Sequence, residues 1–369
     1  MKIIFFTFFL YFFVAGNYLS AQMVSPQRWG NCEQILDLKN GLRHYDFDVG
    51  VTSSSALANV FLTDDKLSFT FQVTNNIDDP VTVLFSCSNQ SVPVTVTFAN
   101  GLYVFSFGEN TFSVSAQTGG RIISYTCRGK ELLIPSSVHS ENYGATLWPS
   151  PQSNWGWPPY PVLDIEPYEA VLTGDTLTLV SRPDLKSGYH FRKKFYITPE
   201  DASINIIYSI TNISESAKQV AAWDVCRTSG GVSFFPVDAA SASLPSSNLM
   251  GVTIEDGICW YSFHPELIPR SQKLFFAAKK GWLAHVYDGM LFIKTFPDIP
   301  VDALPPQQGE VEIYAHSNGL YIELENHGEY TLLQPGETLV YPQKWYLMKI
   351  KEANSRDELL RTVRKVIRN

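Results

Sequence analysis

Charge is scarce in this 369-residue chain, where lysine, arginine, aspartate and glutamate together make up 17%. No basic cluster occurs, and 28 lysines and arginines against 36 acidic residues leave a net charge of -8. Without a cationic patch there is no electrostatic footprint for a phosphate backbone or an anionic bilayer, so nucleic acid and lipid surfaces are poor partners. Cysteine is sparse too: Cys32, Cys87, Cys127, Cys226 and Cys259 stand far apart and form no C-x-x-C pair. Their odd number leaves at least one free thiol, and the spacing assigns neither a bridge nor a metal cage. The histidines, His44, His139, His190, His264, His285, His316 and His327, include no H-x-x-x-H pair, which argues against a histidine metal centre. No metal and no cofactor are expected; Asp78-Asp79, Asp298 and Asp302 read as ordinary turn carboxylates, with loop-bound calcium an alternative the sequence leaves open.

The N-terminus carries a different signal. Lys2 is followed by an apolar run to Ala15 and then by small and polar residues ending Ser20-Ala21-Gln22, the pattern of a secretory signal peptide over residues 1–22. The run is short for a membrane anchor and lacks stop-transfer charges. Export to the periplasm or cell exterior follows as the expectation, with no integral membrane segment after cleavage and an oligomeric state that has no signature in the sequence.

Roughly 350 residues then remain, room for one large β domain and a small one. Alternation of apolar and polar residues marks strands at Leu67–Val73, Val94–Phe98, Leu102–Phe107, Thr176–Val180, Ile204–Ile210, Val311–Tyr314 and Leu320–Glu325. Turn residues such as Asn100-Gly101, Thr173-Gly174-Asp175 and Pro335-Gly336 punctuate them. The fold class is therefore all-β, a sandwich or barrel. A single helix is expected at the tail, where Ser355 and Glu358 form a capping box and Leu359, Leu360, Val363, Val366 and Ile367 make one apolar stripe. The expected divisions are a small N-terminal β unit at 23–101, a large unit at 102–350 and the helix at 351–369. An assembly role for the N-terminal unit is one further possibility.

Aromatic residues reach 14% of the chain, and one stretch concentrates them: between Glu141 and Tyr168, Trp148, Trp155 and Trp157 lie among Pro149, Pro151, Pro158, Pro159 and Pro161, with Asn142, Gln152, Asn154 and Asp164 interleaved. Flat indoles cover the C–H face of a sugar ring while amides and carboxylates take its hydroxyls, and prolines keep such a loop ordered. The bland alternative is that the rings plug the end of a sandwich.

Thr118-Gly119-Gly120-Arg121-Ile122-Ile123-Ser124 followed by Gly129-Lys130-Glu131, then Asn142 to Gln152, Ile207 to Ser214, Ala221 to Arg227, Gly281-Trp282 and Tyr321 to Glu325 resemble, in that order, the galactose-mutarotase-like (aldose 1-epimerase-like) superfamily. The nearest resemblance is to a secreted bacterial subfamily of unassigned function. It implies a large antiparallel supersandwich with a sugar cleft on the concave sheet face.

In that superfamily a carboxylate takes the anomeric hydroxyl proton while an acid protonates the ring oxygen. The resemblance puts Glu323 in the place of the base, and on an alternating strand Glu325 shares its face, where two carboxylates raise one pKa. The superfamily's histidine is missing from Val220–Arg227; Trp223 stands there instead, with Arg227 two strand steps on. The arginine that usually follows the first sugar loop is also absent. Asp224 or His139 is left as the candidate proton donor beside Glu323. The expected function is accordingly a carbohydrate-binding protein using Trp148, Gln152, Trp155, Trp157, Asp164, Trp223, Arg227 and Glu325. The alternative is a sugar-active enzyme, epimerase-type or lyase-like, with Glu323 as general base.

Overall fold

The computed structural model describes residues 100–368 apart from 174, 239–250, 269 and 352–353, and before residue 100 it describes strand backbones only. The expected signal peptide at 1–22, with Cys32, His44, Asp78-Asp79 and Cys87, lies outside the described side chains.

Two large sheets make up the fold, and every strand pairing from Leu102 onward is antiparallel. The larger sheet runs, from one edge, through Gln272–Phe276, Val311–Ala315, Ile322–His327, Lys218–Thr228, Ala145–Ser150 and Arg121–Cys127 to Asn110–Ser115 and Leu102–Phe107. The second places Ser203–Asn212, Thr338–Lys349 and Met290–Thr295 at its centre. This is the antiparallel supersandwich expected from the sequence, closed by the helix Arg356–Val366 with its Ser355–Glu358 capping box. Leu359 and Val363 bury that helix on the second sheet, against Phe234, Trp260 and Trp282.

Between the sheets the packing is aromatic. Phe112 meets Tyr125 edge-on at 5.4 Å, Tyr125 meets Phe292 at 6.2 Å, and Phe292 meets Trp345 at 5.2 Å. Such edge-to-face pairs add to the burial term, about 0.5–1.5 kcal/mol each. Cys127, Cys226 and Cys259 are buried and free, and burial pushes the thiols of Cys226 and Cys259 up to about 12, which makes them unreactive.

Two strand boundaries differ from the sequence reading, and the turn expected at Asn100-Gly101 joins two paired strands. Asn100 and Gly101, with φ of 48° and 73°, form a two-residue hairpin turn, so the ladder runs unbroken from Val94–Ala99 into Leu102–Phe107. Trp148 sits in a strand, Ala145–Ser150, and not in the proline-rich loop that follows it. Leu320 and Tyr321 precede their strand, because Asn318 and Gly319 take positive φ (63° and 67°) in a turn that ends just before Ile322.

The central strand Lys218–Thr228 is buried on both faces, so its polarity does not alternate, although its directions do. Val220, Ala222 and Cys226 join the core between the sheets, while Trp223 and Val225 join a separate cluster on the far face. Asp224, between Ala222 and Cys226 in parity, points into the core. There it pairs with the buried Lys294 ammonium and accepts from Tyr208 Oη at 3.0 Å. Replacing Asp224 with Ala would leave the buried Lys294 ammonium without an anionic partner among the described residues, held by the Leu324 carbonyl at 3.1 Å and the Trp345 ring at 5.3 Å. A loss of about 3–5 kcal/mol in urea unfolding is expected, the usual cost of orphaning a buried charge.

Candidate functional site

The far face of the larger sheet collects the site because three strands are in register. Trp223 lies opposite Trp148 on one side and His327 on the other; Val225 lies opposite Glu325, and Arg227 opposite Glu323. One strand further, Glu312 lies opposite Glu325 and Tyr314 opposite Glu323. Cross-strand partners share a face, so this pairing gathers Trp148, Trp223, Arg227, Glu312, Glu323, Glu325 and His327.

Segment 151–168 folds back over that face. Trp155 meets Trp148 at 6.1 Å and Trp157 meets it at 5.9 Å, while Trp223 packs edge-on at 5.1 Å. The four indoles form one cluster, but not an even platform. Trp148 and Trp223 are buried, and Trp223 is stacked on His327 at 5.2 Å with the Lys273 ammonium 4.5 Å from its ring centre. Trp155 is half-buried and Trp157 is 54% exposed, so open aromatic surface belongs to these two.

Asp164 is a correction to the expected sugar contacts. Its Oδ1 accepts from Trp148 Nε1 at 2.8 Å and Thr146 Oγ1 at 2.9 Å, and its Oδ2 pairs with buried Arg121 at 3.0 Å. The carboxylate is spent on holding the loop to the sheet. Gln152 opens the short helical turn Gln152–Asn154 and donates to the Gly156 carbonyl at 3.3 Å, bracing the loop from within. Asp224, facing the other way between the sheets, is not part of this cluster and is withdrawn as a proton donor. His139 lies on a loop beside Tyr321, with ring centres 5.7 Å apart. Its Nδ1 accepts the backbone N–H groups of Glu141 and Asn142, so its local role is to shape that loop.

At the centre, Lys273 Nζ stands 2.7 Å from Glu312 Oε2 and 2.9 Å from Glu325 Oε2, and Trp223 Nε1 donates to Glu325 Oε2 at 2.6 Å. Burial pushes Glu325 up to about 8, against the pull of Lys273 and with help from the Glu312 and Glu323 charges. Burial would raise Glu312 as well, but Lys273 and His327 outweigh it and hold that carboxyl at about 2. Lys273, which burial alone would lower, is held above the ordinary lysine value by the same two carboxylates. Burial lowers His327, whose Nδ1 lies 3.0 Å from Ser150 Oγ. Arg227 Nε donates to Glu323 Oε1 at 2.7 Å, and the terminal nitrogens of this buried guanidinium have no hydrogen-bond partner among the described residues, its carbon lying 5.0 Å from the Trp148 ring centre.

Lys273, Glu312 and His327 were not singled out from the sequence. His327 had a signal, being two and four residues from Glu325 and Glu323 on one alternating strand. Glu312, Glu325 and His327 bring ligand atoms within 4.8 Å of one another, a metal-ligand geometry that histidine spacing did not suggest. Lys273 already provides the compensating positive charge there, so a cation would have to displace its ammonium.

Residues 105–348 match the family model described as a domain of unknown function, DUF4380. The chain belongs to that family. No curated protein matches it. Among solved structures, it is similar to a galactose mutarotase-like protein from Lactobacillus casei ATCC 334, at 12% identity over 67% of this chain and 100% of the other, with a TM-score of 0.47. A galactose mutarotase related enzyme from Lactobacillus acidophilus matches at 11% identity over 69% and 99% of the two chains, TM-score 0.47. A galactose mutarotase-like protein from Clostridium acetobutylicum matches at 10% identity over 68% and 95%, TM-score 0.43.

In this DUF4380 member, Glu325 titrates far above the ~4.3 of a free glutamate. Between those two values the folded chain keeps a proton that the unfolded chain has released, so folding stability falls as pH rises. Glu325→Gln removes that proton exchange. Urea unfolding at pH 5, 6.5 and 8 should show the variant losing less stability with pH than the parent, by about 1 kcal/mol per pH unit. Parallel pH profiles would mean that Glu325 is ionised throughout.

Proposed function

We propose that this chain is an exported carbohydrate-binding protein that holds a sugar on the far face of its larger sheet. One observation carries the reading: indoles from the proline-rich segment and from Trp223 converge on the face that carries Lys273 and Glu323, with the buried Arg227 paired to Glu323. Trp155 and Trp157 offer the open rings that cover a sugar's C–H face. Trp148 and Trp223 form the packed base beneath them. The partly exposed Lys273 supplies donors for ring hydroxyls and Glu323 an acceptor, with the buried Arg227 guanidinium holding Glu323 in place. Export rests on the pattern of residues 1–22.

A second reading, a sugar-active enzyme with Glu323 as base, draws on a different observation. Glu325, two residues from Glu323 on the same strand face, is held neutral by burial, which sets a proton donor beside the candidate base. Glu325 Oε1, which has no hydrogen-bond partner, is the oxygen from which a proton would leave.

Titrating galactose, glucose and their oligosaccharides against tryptophan fluorescence tests the first reading. Saturable quenching or enhancement is expected, and Trp157→Ala should weaken it roughly three- to tenfold, the worth of one aromatic contact of about 0.5–1.5 kcal/mol. Anomer exchange followed by NMR should stay at the buffer rate; acceleration that Glu323→Gln abolishes would favour the enzyme instead.

A further inference from the structure

Beside the tryptophan cluster the described residues enclose a hollow of about 320 Å3, at the lower end of the ~300–1,000 Å3 range of small-molecule sites. Its walls include Trp155, Tyr160, Tyr189 and Tyr330, with Trp155 and Tyr160 rings 6.2 Å apart. Two of its lining residues belong equally to the site already described. Trp155 packs against Trp223 at 6.4 Å, and Ser150 Oγ lies 3.0 Å from His327 Nδ1. The hollow is therefore the direct lateral continuation of the tryptophan cluster.

Its chemistry resembles that of the cluster without the charge. No aspartate or glutamate is among the lining residues, and its cation, Lys218, lies over the Tyr189 ring at 5.4 Å. Exposed Gln219 adds an amide that can both donate and accept. Aromatic faces alternating with amide and hydroxyl groups suit a pyranose, whose faces are apolar and whose rim is polar.

We propose that this hollow is a second saccharide subsite, so that the ligand is an oligosaccharide whose neighbouring ring sits between Trp155, Tyr189 and Tyr330. The proposal rests on the carbohydrate reading above and narrows it from sugars in general to chains of at least two units. Linking two rings adds the second contact without a second loss of translational freedom, so the gain appears as affinity.

The test compares each monosaccharide with its own homologues by isothermal titration calorimetry: galactose with galactobiose, glucose with cellobiose and maltose, xylose with xylobiose. At least one disaccharide should bind tenfold or more tightly than its monosaccharide. Tyr330→Ala and Gln219→Ala, both on partly or fully exposed side chains and checked for folding by circular dichroism, should each remove most of that gain and leave the monosaccharide affinity unchanged. Monosaccharide binding with no gain from a second ring would overturn the subsite alone, as would variants that weaken both ligands equally. Binding of no saccharide in the panel would overturn the subsite together with the reading beneath it.

Discussion

The register of Lys218–Thr228 between Ala145–Ser150 and Ile322–His327 is the constraint on which the site depends. A strand repeats every two residues, so a slip of one position would exchange Trp223 and Arg227 with Ala222, Asp224 and Cys226. The far face would lose its indole and its guanidinium, and the space between the sheets would receive both. Asp224 fixes that register from the core side, because its pairing with Lys294 and Tyr208 of the second sheet exists in one alignment only.

Charge on the far face is arranged to cancel. Lys273 between Glu312 and Glu325, and Arg227 on Glu323, allow three carboxyl groups to lie on one small area of sheet. Burying any of these alone would be costly, and together they are tolerated because each positive group faces an acidic one. Burial raises Glu312 and Glu325 alike and Lys273 pulls on both, so the remaining neighbours decide which keeps its proton. Glu312, which also faces His327, ionises; Glu325, which faces the like charges of Glu312 and Glu323, does not. The outcome is a nearly neutral polar strip bordered by indoles.

The aromatic segment shows how both readings of a tryptophan-rich stretch hold at once. Trp148 and Trp223 are core residues of a local cluster, as the bland alternative had it, and Asp164 with Arg121 is the clamp that closes the loop over them. Trp155 and Trp157 remain at the surface because the clamp and the turn at Gln152–Asn154 leave them outward. The buried pair gives the exposed pair a rigid seat.

Much of this was legible without coordinates. Period-two alternation in Leu102–Phe107, Thr176–Val180 and Val311–Tyr314 fixed the class, the Ser355–Glu358 box placed the C-terminal helix, and the spacing of Glu323 and Glu325 put both on one face. These are local properties, set by neighbouring side chains and by the two-residue repeat of a strand. The facing of Lys218–Thr228 was not legible, because a strand buried on both sides carries no polar-apolar alternation, and so Asp224 was grouped with Trp223 although they point in opposite directions. Nor could the sequence bring Lys273 to Glu312 and Glu325, or choose Arg121 as the partner of Asp164. Those contacts join residues far apart in the chain and are determined by which strands lie side by side, a choice made by the packing of the whole sandwich.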